Sequence, residues 1–590
     1  MFWFALLCVL CGQSFALDRS AFVFARYDLE VRVDPAGQAI AARGKILLRN
    51  VSSQPQRDAS LQISSSLEWR MIQYKGKDLQ FVADSYTSDI DHTGALNEAV
   101  VTLPYAVPPQ GTIELEAGYD GTIARDATRL TRVGTPEAQA LHSDWDQIKE
   151  PITVVRGAGY VTWYPVAMPA ANLSEGTVFS ELSAWKESQS ASEMKVNFCW
   201  VSESDQVAVV ANGRLGNVSR QTLDSNEDTT THAGCSSYQF SHLDTTVPTF
   251  AIAEFATLGR PAINVYHLAA DNAGAQEYAL DAEKVAPFVA GWFGEPREKV
   301  AVIELPEKGD APFESGPMLF TPLTGEHAQI EVRMAHQLEH ASFRSPRRWI
   351  DEGLAHFAEA LWREQEAGRN SAIVYMDGFM APLQAADPTP FSSSSSSSSS
   401  SQTTAPAQAR NNKSEITDSL INSGDEILYR IKAMFVWWML RDMVGDDILR
   451  KAISEYQPIQ DTRTSYMPGL IQRQTKRDLS WFFDDWVYRD RGLPDFRISA
   501  AFPRATLAGS TVVTVTVENA GDAAAEVPVR ALVSQGEQSV RVLVPAHGKE
   551  IARIQIAGTP TEAIVNDGSV PESDTKNNSM KLETPPKEPR

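Results

Sequence analysis

Cysteine is nearly absent from this chain, with four in 590 residues. Too few exist to staple a disulfide-dense scaffold, so the fold rests on hydrophobic burial. Long apolar runs are missing as well. Beyond the N-terminus nothing reaches the roughly 20 residues that span a bilayer, and Met434 to Leu440, MFVWWML, is only seven; no transmembrane span is expected. Positive charge is in deficit: Lys plus Arg number 53 against 75 Asp plus Glu, a net charge of −22. That sign repels phosphate backbones and excludes nucleic acid as a partner. What is present is an ordinary globular composition, 43% apolar and 22% charged. The length passes the roughly 250 to 300 residues at which one core stops growing, so several domains are expected.

Residues 1–16, MFWFALLCVLCGQSFA, carry an apolar run from Phe2 to Cys11 and end in Ser14-Phe15-Ala16. Small residues at −3 and −1 fit a signal peptidase site, so a signal peptide cut before Leu17 is expected. The chain would then be exported to a periplasm or the extracellular space. Its n-region is atypical in lacking Lys and Arg, and a buried N-terminal strand is the competing reading. In an exported chain Cys199 and Cys235 enter an oxidising space. They either pair, closing a loop of about 35 residues worth about 3 kcal/mol in chain entropy, or remain two buried thiols.

From Leu17 onward, alternating segments such as YDLEVRVD, GKILLRNV and EMKVNFCWV are punctuated by Gly, Pro and Asn-Gly turn signals. This pattern predicts an all-β domain over 17–259. The apolar period then lengthens to that of helices, in EYALDAEKVAPFVAGWF, EHAQIEVRMAHQLEHASF, RWIDEGLAHFAEALWREQ and DEILYRIKAMFVWWMLRDMV. A mainly α domain is predicted over 260–494. Ten serines, Ser392 to Ser401, continue into QTTAPAQARNN. Such a composition buries no core, and a flexible surface insertion is expected over 390–415. Over 495–570, FRISAAF, TVVTVTVEN, VPVRALVS, SVRVLVPA and EIARIQIA have the spacing of a small β-sandwich. Residues 571–590 are polar and expected to be disordered.

His336-Gln337-Leu338-Glu339-His340 falls inside one helical segment. Imidazoles four residues apart share a helix face at about 6 Å, so both can bind one zinc ion. After His340 eighteen residues pass and then comes Glu359, on a second helical segment that begins Trp349-Ile350-Asp351-Glu352-Gly353-Leu354-Ala355. Two His and a carboxylate form a hydrolytic zinc set that leaves one position open for water. The arrangement resembles the gluzincin metallopeptidases of the M1 aminopeptidase type. Their pattern is H-E-x-x-H, eighteen residues, then a Glu at the end of a W-x-N-E-G-x-A segment. Both His, the spacing, the Trp, the Glu-Gly and the Ala are kept.

The resemblance covers about residues 20–493. YPVAMPAANLSEGTVFSEL, VAVVANGRL and YQFSHLDTTVPTFAIAEFA look like strands of that family's N-terminal β-saddle domain, and KAMFVWWMLRDMVGDDILRKAI looks like the helix after its catalytic tyrosine. The C-terminal sandwich resembles the CARDB-like adhesion modules of secreted bacterial proteins. Together these imply an all-β saddle, a thermolysin-like mainly α catalytic domain and a β-sandwich. They also imply Zn2+ on His336, His340 and Glu359, and a peptide or protein substrate.

Three positions break the family's pattern. Gln337 stands where the general base belongs, and an amide orients water but takes no proton near neutrality. Losing that base lowers the rate by roughly 10³-fold or more. Glu339 creates the inverted motif H-x-x-E-H. Positions 337 and 339 lie about 80° to either side of the metal direction, so Glu339 serves only if the open coordination position faces its side. Otherwise it is a helix-face or ion-pairing carboxylate.

The family's G-x-M-E-N strand, whose Glu holds the substrate amine, corresponds to Gly316-Pro317-Met318-Leu319-Phe320. Gly316 and Met318 would still line the substrate, but Leu319 pairs no ammonium; Glu314 is either the nearby substitute or simply surface charge. The oxyanion tyrosine belongs at the offset held by Arg430, with Tyr429 one residue away. One residue turns a side chain by about 100°, so Tyr429 fits only an irregular helix start. Arg430 either stabilises an oxyanion or contacts solvent. Glu352 and His356 share the helix face of Glu359, either orienting metal ligands or making helix contacts.

Two functions stay open. One is an exported zinc metallopeptidase with altered base and amine recognition, in which Gln337, Glu339 and Tyr429 are the catalytic candidates. The other is an inactive zinc-binding pseudo-peptidase that serves as a peptide-binding or adhesion module.

Overall fold

The computed structural model describes residues 17–88, 94–132, 134–157, 161–169, 185, 188–225, 230–240, 243, 247–386, 419–507, 509–534 and 536–582. The expected signal segment 1–16 and the serine-rich insertion 390–415 lie outside the described residues. Two compact units are formed, residues up to 255 with 309–311, and 256–308 with the chain from 312 onward.

The first unit is built on an eight-stranded sheet. Its strands run in the order Arg214–Ser225, Thr230–Phe240, Glu193–Ser202, Phe22–Asp34, Ala39–Asn50, Thr112–Thr122, Leu67–Tyr74 and Lys77–Asp78. Period-two alternation makes each strand one-sided: Leu29, Val31 and Val33 are buried while Glu30, Arg32 and Asp34 are exposed, as a sheet covered on one face requires. A three-stranded sheet of Gln56–Ser64, Gly94–Val107 and Phe81–Ser88 contributes Leu61, Ile63 and Val101 to the same core. Cys199 and Cys235 face each other across adjacent strands and form a disulfide, their Cα atoms 4.0 Å apart. Closing a loop of that length is worth about 3 to 4 kcal/mol. Cys199→Ala is therefore expected to lower the stability of this unit by that amount in guanidinium titrations.

The second unit opens on a five-stranded sheet in the order Ala256–Gly259, Ile263–His267, Val300–Glu304, Met318–Thr321 and Phe313–Ser315. The last strand is an antiparallel edge, formed because Gly316 takes a φ of +58° in the link to Met318, a conformation that suits glycine. The turn sets Glu314 opposite Leu319.

Helices α1 (Asn272–Phe293), α2 (His327–Ser342), α3 (Arg348–Ala367), α4 (Arg369–Asp377), α5 (Met380–Ala386) and α6 (Ala433–Val444) follow in the chain. α3 and α6 approach closely at Gly353, where a Cβ would come within 2.6 Å of the Ala433 Cβ. Trp349 stacks on Trp437 beside that contact, ring centres 5.2 Å apart. The glycine after Glu352 is thus a packing requirement. A π-helical turn, Ile427–Lys432, leads into α6. No helix of the described residues is long and apolar enough to cross a membrane.

The C-terminal region forms two sheets, one of Phe496–Ala505, Ser510–Asn519 and Lys549–Ala557, the other of Gly536–Val544, Ala525–Val533, Glu562–Val565 and Ser579–Lys581. The disorder expected from 571 is corrected here up to 582: Ser579–Lys581 pairs with Glu562–Val565. The reason is a buried carboxylate. Glu572 accepts hydrogen bonds from the Asn566 and Asn578 side chains and from the Phe496 N–H, which anchors the polar segment to the sheets. These strands share one continuous hydrophobic core with the helices, and Trp486 donates its indole N–H to the Ala524 carbonyl at 2.8 Å.

Candidate metal centre

His336 and His340 lie one turn apart on α2, both buried, with their Nε2 atoms 3.1 Å apart. Helix α3 brings three further groups to them, Glu352, His356 and Glu359, on one face at seven-residue span. Two clusters of ligand-type atoms result, each with all members within 4.8 Å: His336, His340 and Glu352, and His336, His356 and Glu359. They use opposite edges of the His336 ring. Nδ1 faces Glu359 Oε1 at 3.0 Å, while Nε2 faces His340.

The carboxylates of the two clusters differ in what they still need. Glu359 is fully engaged: His336 Nδ1 at 3.0 Å, His356 Nδ1 at 2.8 Å and the Tyr375 hydroxyl at 2.6 Å all converge on it. Glu352 is not, since its Oε2 is buried without a hydrogen bond, although the Arg430 Nε lies 3.2 Å away. A carboxylate bonded to the far nitrogen of an imidazole fixes its tautomer and frees the near nitrogen for a metal. Glu359 has that position relative to His336. Glu359 lies against His336 Nδ1, on the ring edge away from the Nε2–Nε2 contact, while Glu352 clusters with His336 and His340.

Charge at the site points the same way. Burial works against ionisation of Glu314, Glu352 and Glu359. Yet His336 and Arg430 hold Glu314 well below the usual carboxylate range, Arg430 lowers Glu352, and His356 with His336 lowers Glu359. Burial would likewise depress His336, but Glu314 and Glu359 outweigh it and raise that imidazole well above its ordinary value. His340 is pushed down to about 4 by burial and by His336. Three ionised carboxylates thus face one guanidinium and one imidazolium. A divalent cation that takes the place of the His336 Nε2 proton balances the three carboxylates together with Arg430 and supplies a partner for Glu352 Oε2, so the residues fit a zinc ion.

The other expected site residues are distributed around this cluster. Gln337 donates its Nε2 to Glu314 Oε2 at 3.0 Å, and its buried Oε1 has no hydrogen bond. Glu339 is fully buried with neither oxygen hydrogen-bonded, and lies 3.4 Å from His340 Nδ1, the nitrogen turned away from the Nε2 cluster. Burial, reinforced by Asp351, pushes its carboxyl well above the usual range. Tyr429 lies within an irregular helix start, the π turn, but its hydroxyl donates to Glu426 at 3.3 Å. Arg430 reaches the cluster instead, 3.0 Å from Glu314 Oε1. Gly316 and Met318 flank the turn that presents Glu314, and Met318 is buried.

No family model matches the sequence, and no curated protein matches it. Among solved structures, aminopeptidase A of Legionella pneumophila, determined with aspartic acid, superposes with a TM-score of 0.59 at 10% identity, over 94% of this chain and 59% of that one. The chain shares the fold of that protein over the superposed part. It thus spans 59% of the length of the Legionella enzyme. An M1 zinc metallopeptidase of Deinococcus radiodurans is similar with a TM-score of 0.47 at 14% identity, over 79% of this chain and 94% of that one.

Proposed function

We propose that this chain is an exported zinc-dependent peptidase of the M1 type, with the ion held by His336, His340 and Glu352. The observation that carries the proposal is the convergence of two imidazole Nε2 atoms at 3.1 Å beside a buried carboxylate oxygen that has no hydrogen bond. Zinc at such a site acts as a Lewis acid on a peptide carbonyl and lowers the pKa of water.

The chain's own residues supply the rest. Glu359 accepts the Nδ1 proton of His336 and, held by Tyr375 and His356, keeps that ring in one orientation. Arg430 places a fixed cation next to the ligand carboxylate, where it can stabilise a developing oxyanion. Leu319 pairs no substrate ammonium, and the neighbouring Glu314 is already held by Gln337 and Arg430, so internal peptide bonds are the expected substrates as much as N-terminal ones. The disulfide Cys199–Cys235 supports an oxidising compartment.

The test is turnover of internally quenched peptides and aminoacyl amides by the purified full chain. Activity should vanish with 1,10-phenanthroline and return with stoichiometric zinc. Undiminished turnover after complete metal removal would contradict the proposal. A silent zinc-binding module is the second reading, favoured by the amide at position 337. It would give one zinc per chain and no turnover on any substrate.

A further inference from the structure

We propose that Glu314, carried by the edge strand Phe313–Ser315, is the proton acceptor that replaces the carboxylate missing from position 337. The inference rests on the peptidase reading above and names a group within it. Its basis is position. Glu314 Oε2 lies 3.0 Å from Gln337 Nε2 and 3.1 Å from His336 Nε2, so the carboxylate fills the space between the helical base position and the metal-facing nitrogen. Its other oxygen is held by Arg430 at 3.0 Å. Two donors therefore orient it, and a quarter of the side chain stays exposed, leaving it open to water and substrate.

The remaining carboxylates do not compete for this role. Glu359, at His336 Nδ1, is bound by three donors, Glu339 sits at Nδ1 of His340, and Glu352 is grouped with His336 and His340 as the proposed ligand. The pair also explains why glutamine is tolerated at 337. A glutamate there would set two carboxylates about 3 Å apart, and such a pair does not ionise fully. An amide in that place instead donates a hydrogen bond to the acceptor. Strand and helix have exchanged roles.

The reaction step balances without any redox partner. As the water oxygen bonds to the scissile carbonyl carbon, one water proton passes to Glu314 and the carbonyl π pair moves onto oxygen. When the C–N bond breaks, its electron pair stays on nitrogen, Glu314 returns the proton to that nitrogen, and the carbonyl re-forms. One water is consumed, and a carboxylic acid and an amine leave.

The test compares the native chain with Glu314→Gln, Glu314→Asp and the double variant Glu314→Gln/Gln337→Glu. It measures kcat and KM on an internally quenched peptide, together with zinc content and zinc Kd by chelator competition. Glu314→Gln should lose about 10²- to 10⁴-fold in kcat, with KM changed less than about threefold and one zinc per chain retained. Glu314→Asp, which keeps the charge but withdraws it by one methylene, should also lose kcat while keeping zinc. The double variant, with a carboxylate restored on α2, should regain at least about tenfold over Glu314→Gln. Chelator-sensitive turnover that survives Glu314→Gln overturns this assignment and leaves the peptidase reading intact. Loss of zinc together with activity also overturns it, making Glu314 a metal ligand or support. A native chain that binds zinc without turnover overturns both.

Discussion

Glu352→Gln is expected to raise the zinc Kd by about 10³-fold or more, because the ion loses a charged ligand out of three. Glu359→Gln is expected to raise it only about 10- to 100-fold, the scale for groups that orient a ligand without touching the metal. The contrast follows from the two edges of one imidazole. His336 presents Nδ1 to Glu359 and Nε2 to His340, and one ring nitrogen cannot serve both as hydrogen-bond donor and as metal ligand. Glu359 already has three donors, so placing a metal there would displace hydrogen bonds at 2.6 to 3.0 Å. Glu352 gains from the ion what it lacks. Tyr375→Phe, which removes one of the three donors, should fall in the same weaker class as Glu359→Gln. Chelator competition on apo protein checks all three, and equal losses for Glu352→Gln and Glu359→Gln would remove the distinction.

The second large effect is expected from truncation after Pro494. The helical region should then fail to fold cooperatively, with loss of near-UV signal and of zinc affinity together. The C-terminal strands are not an appendage to this region. Leu493, Phe496, Val513 and Val527 belong to the same buried cluster as Trp437 and Leu354. Each large apolar side chain exposed by the cut costs about 1.5 to 3 kcal/mol, and a handful of them exceed the roughly 5 to 15 kcal/mol that stabilises a domain.

Polar ties add specificity at the same surface. Arg369 on α4 makes a two-pronged contact with Asp442, at 2.8 and 2.6 Å, and approaches Asp567, while Arg541 reaches Asp442 at 3.1 Å. A Cβ at Gly568 would stand 2.7 Å from Ile373 of α4. That helix carries Tyr375, which holds Glu359, which holds His336. The C-terminal sheets therefore support the candidate metal centre through α4. A truncated chain that binds zinc as the full chain does would contradict this account.

Much of this was legible in the sequence because it depends on local period. Alternation gave the strands, as at Leu29, Val31 and Val33, and the 3.6-residue period gave α2 and α3. The pair His336 and His340 needed only the helix pitch. The proposed ligand is Glu352 rather than Glu359, and counting eighteen residues could not choose between them because it assumes a fixed connection between two helices. Here α2 ends at Ser342 and α3 begins at Arg348, and it is this turn that decides which position of α3 faces α2. Glu352, in the Glu-Gly step that packs against Ala433, was visible as a motif but not as a neighbour of both Nε2 atoms.

The choice between Tyr429 and Arg430 turned on a related point. An irregular start to α6 was foreseen as a condition for Tyr429, and a π turn is there, yet its phase brings Arg430 rather than Tyr429 to the cluster. Glu314 was noticed only as a substitute for an amine-binding group. Its place beside Gln337 depends on strand register and on the turn at Gly316, which no single-sequence period encodes. The disulfide needed tertiary pairing as well, since spacing alone left Cys199 and Cys235 either joined or free.

The most direct test of the central claim is anomalous scattering at the zinc absorption edge from crystals of the zinc-loaded chain. The account predicts one peak about 2.0 to 2.2 Å from His336 Nε2, His340 Nε2 and a Glu352 oxygen. A peak on the other edge of His336, against His356 and Glu359, or no peak at full zinc loading, would contradict it.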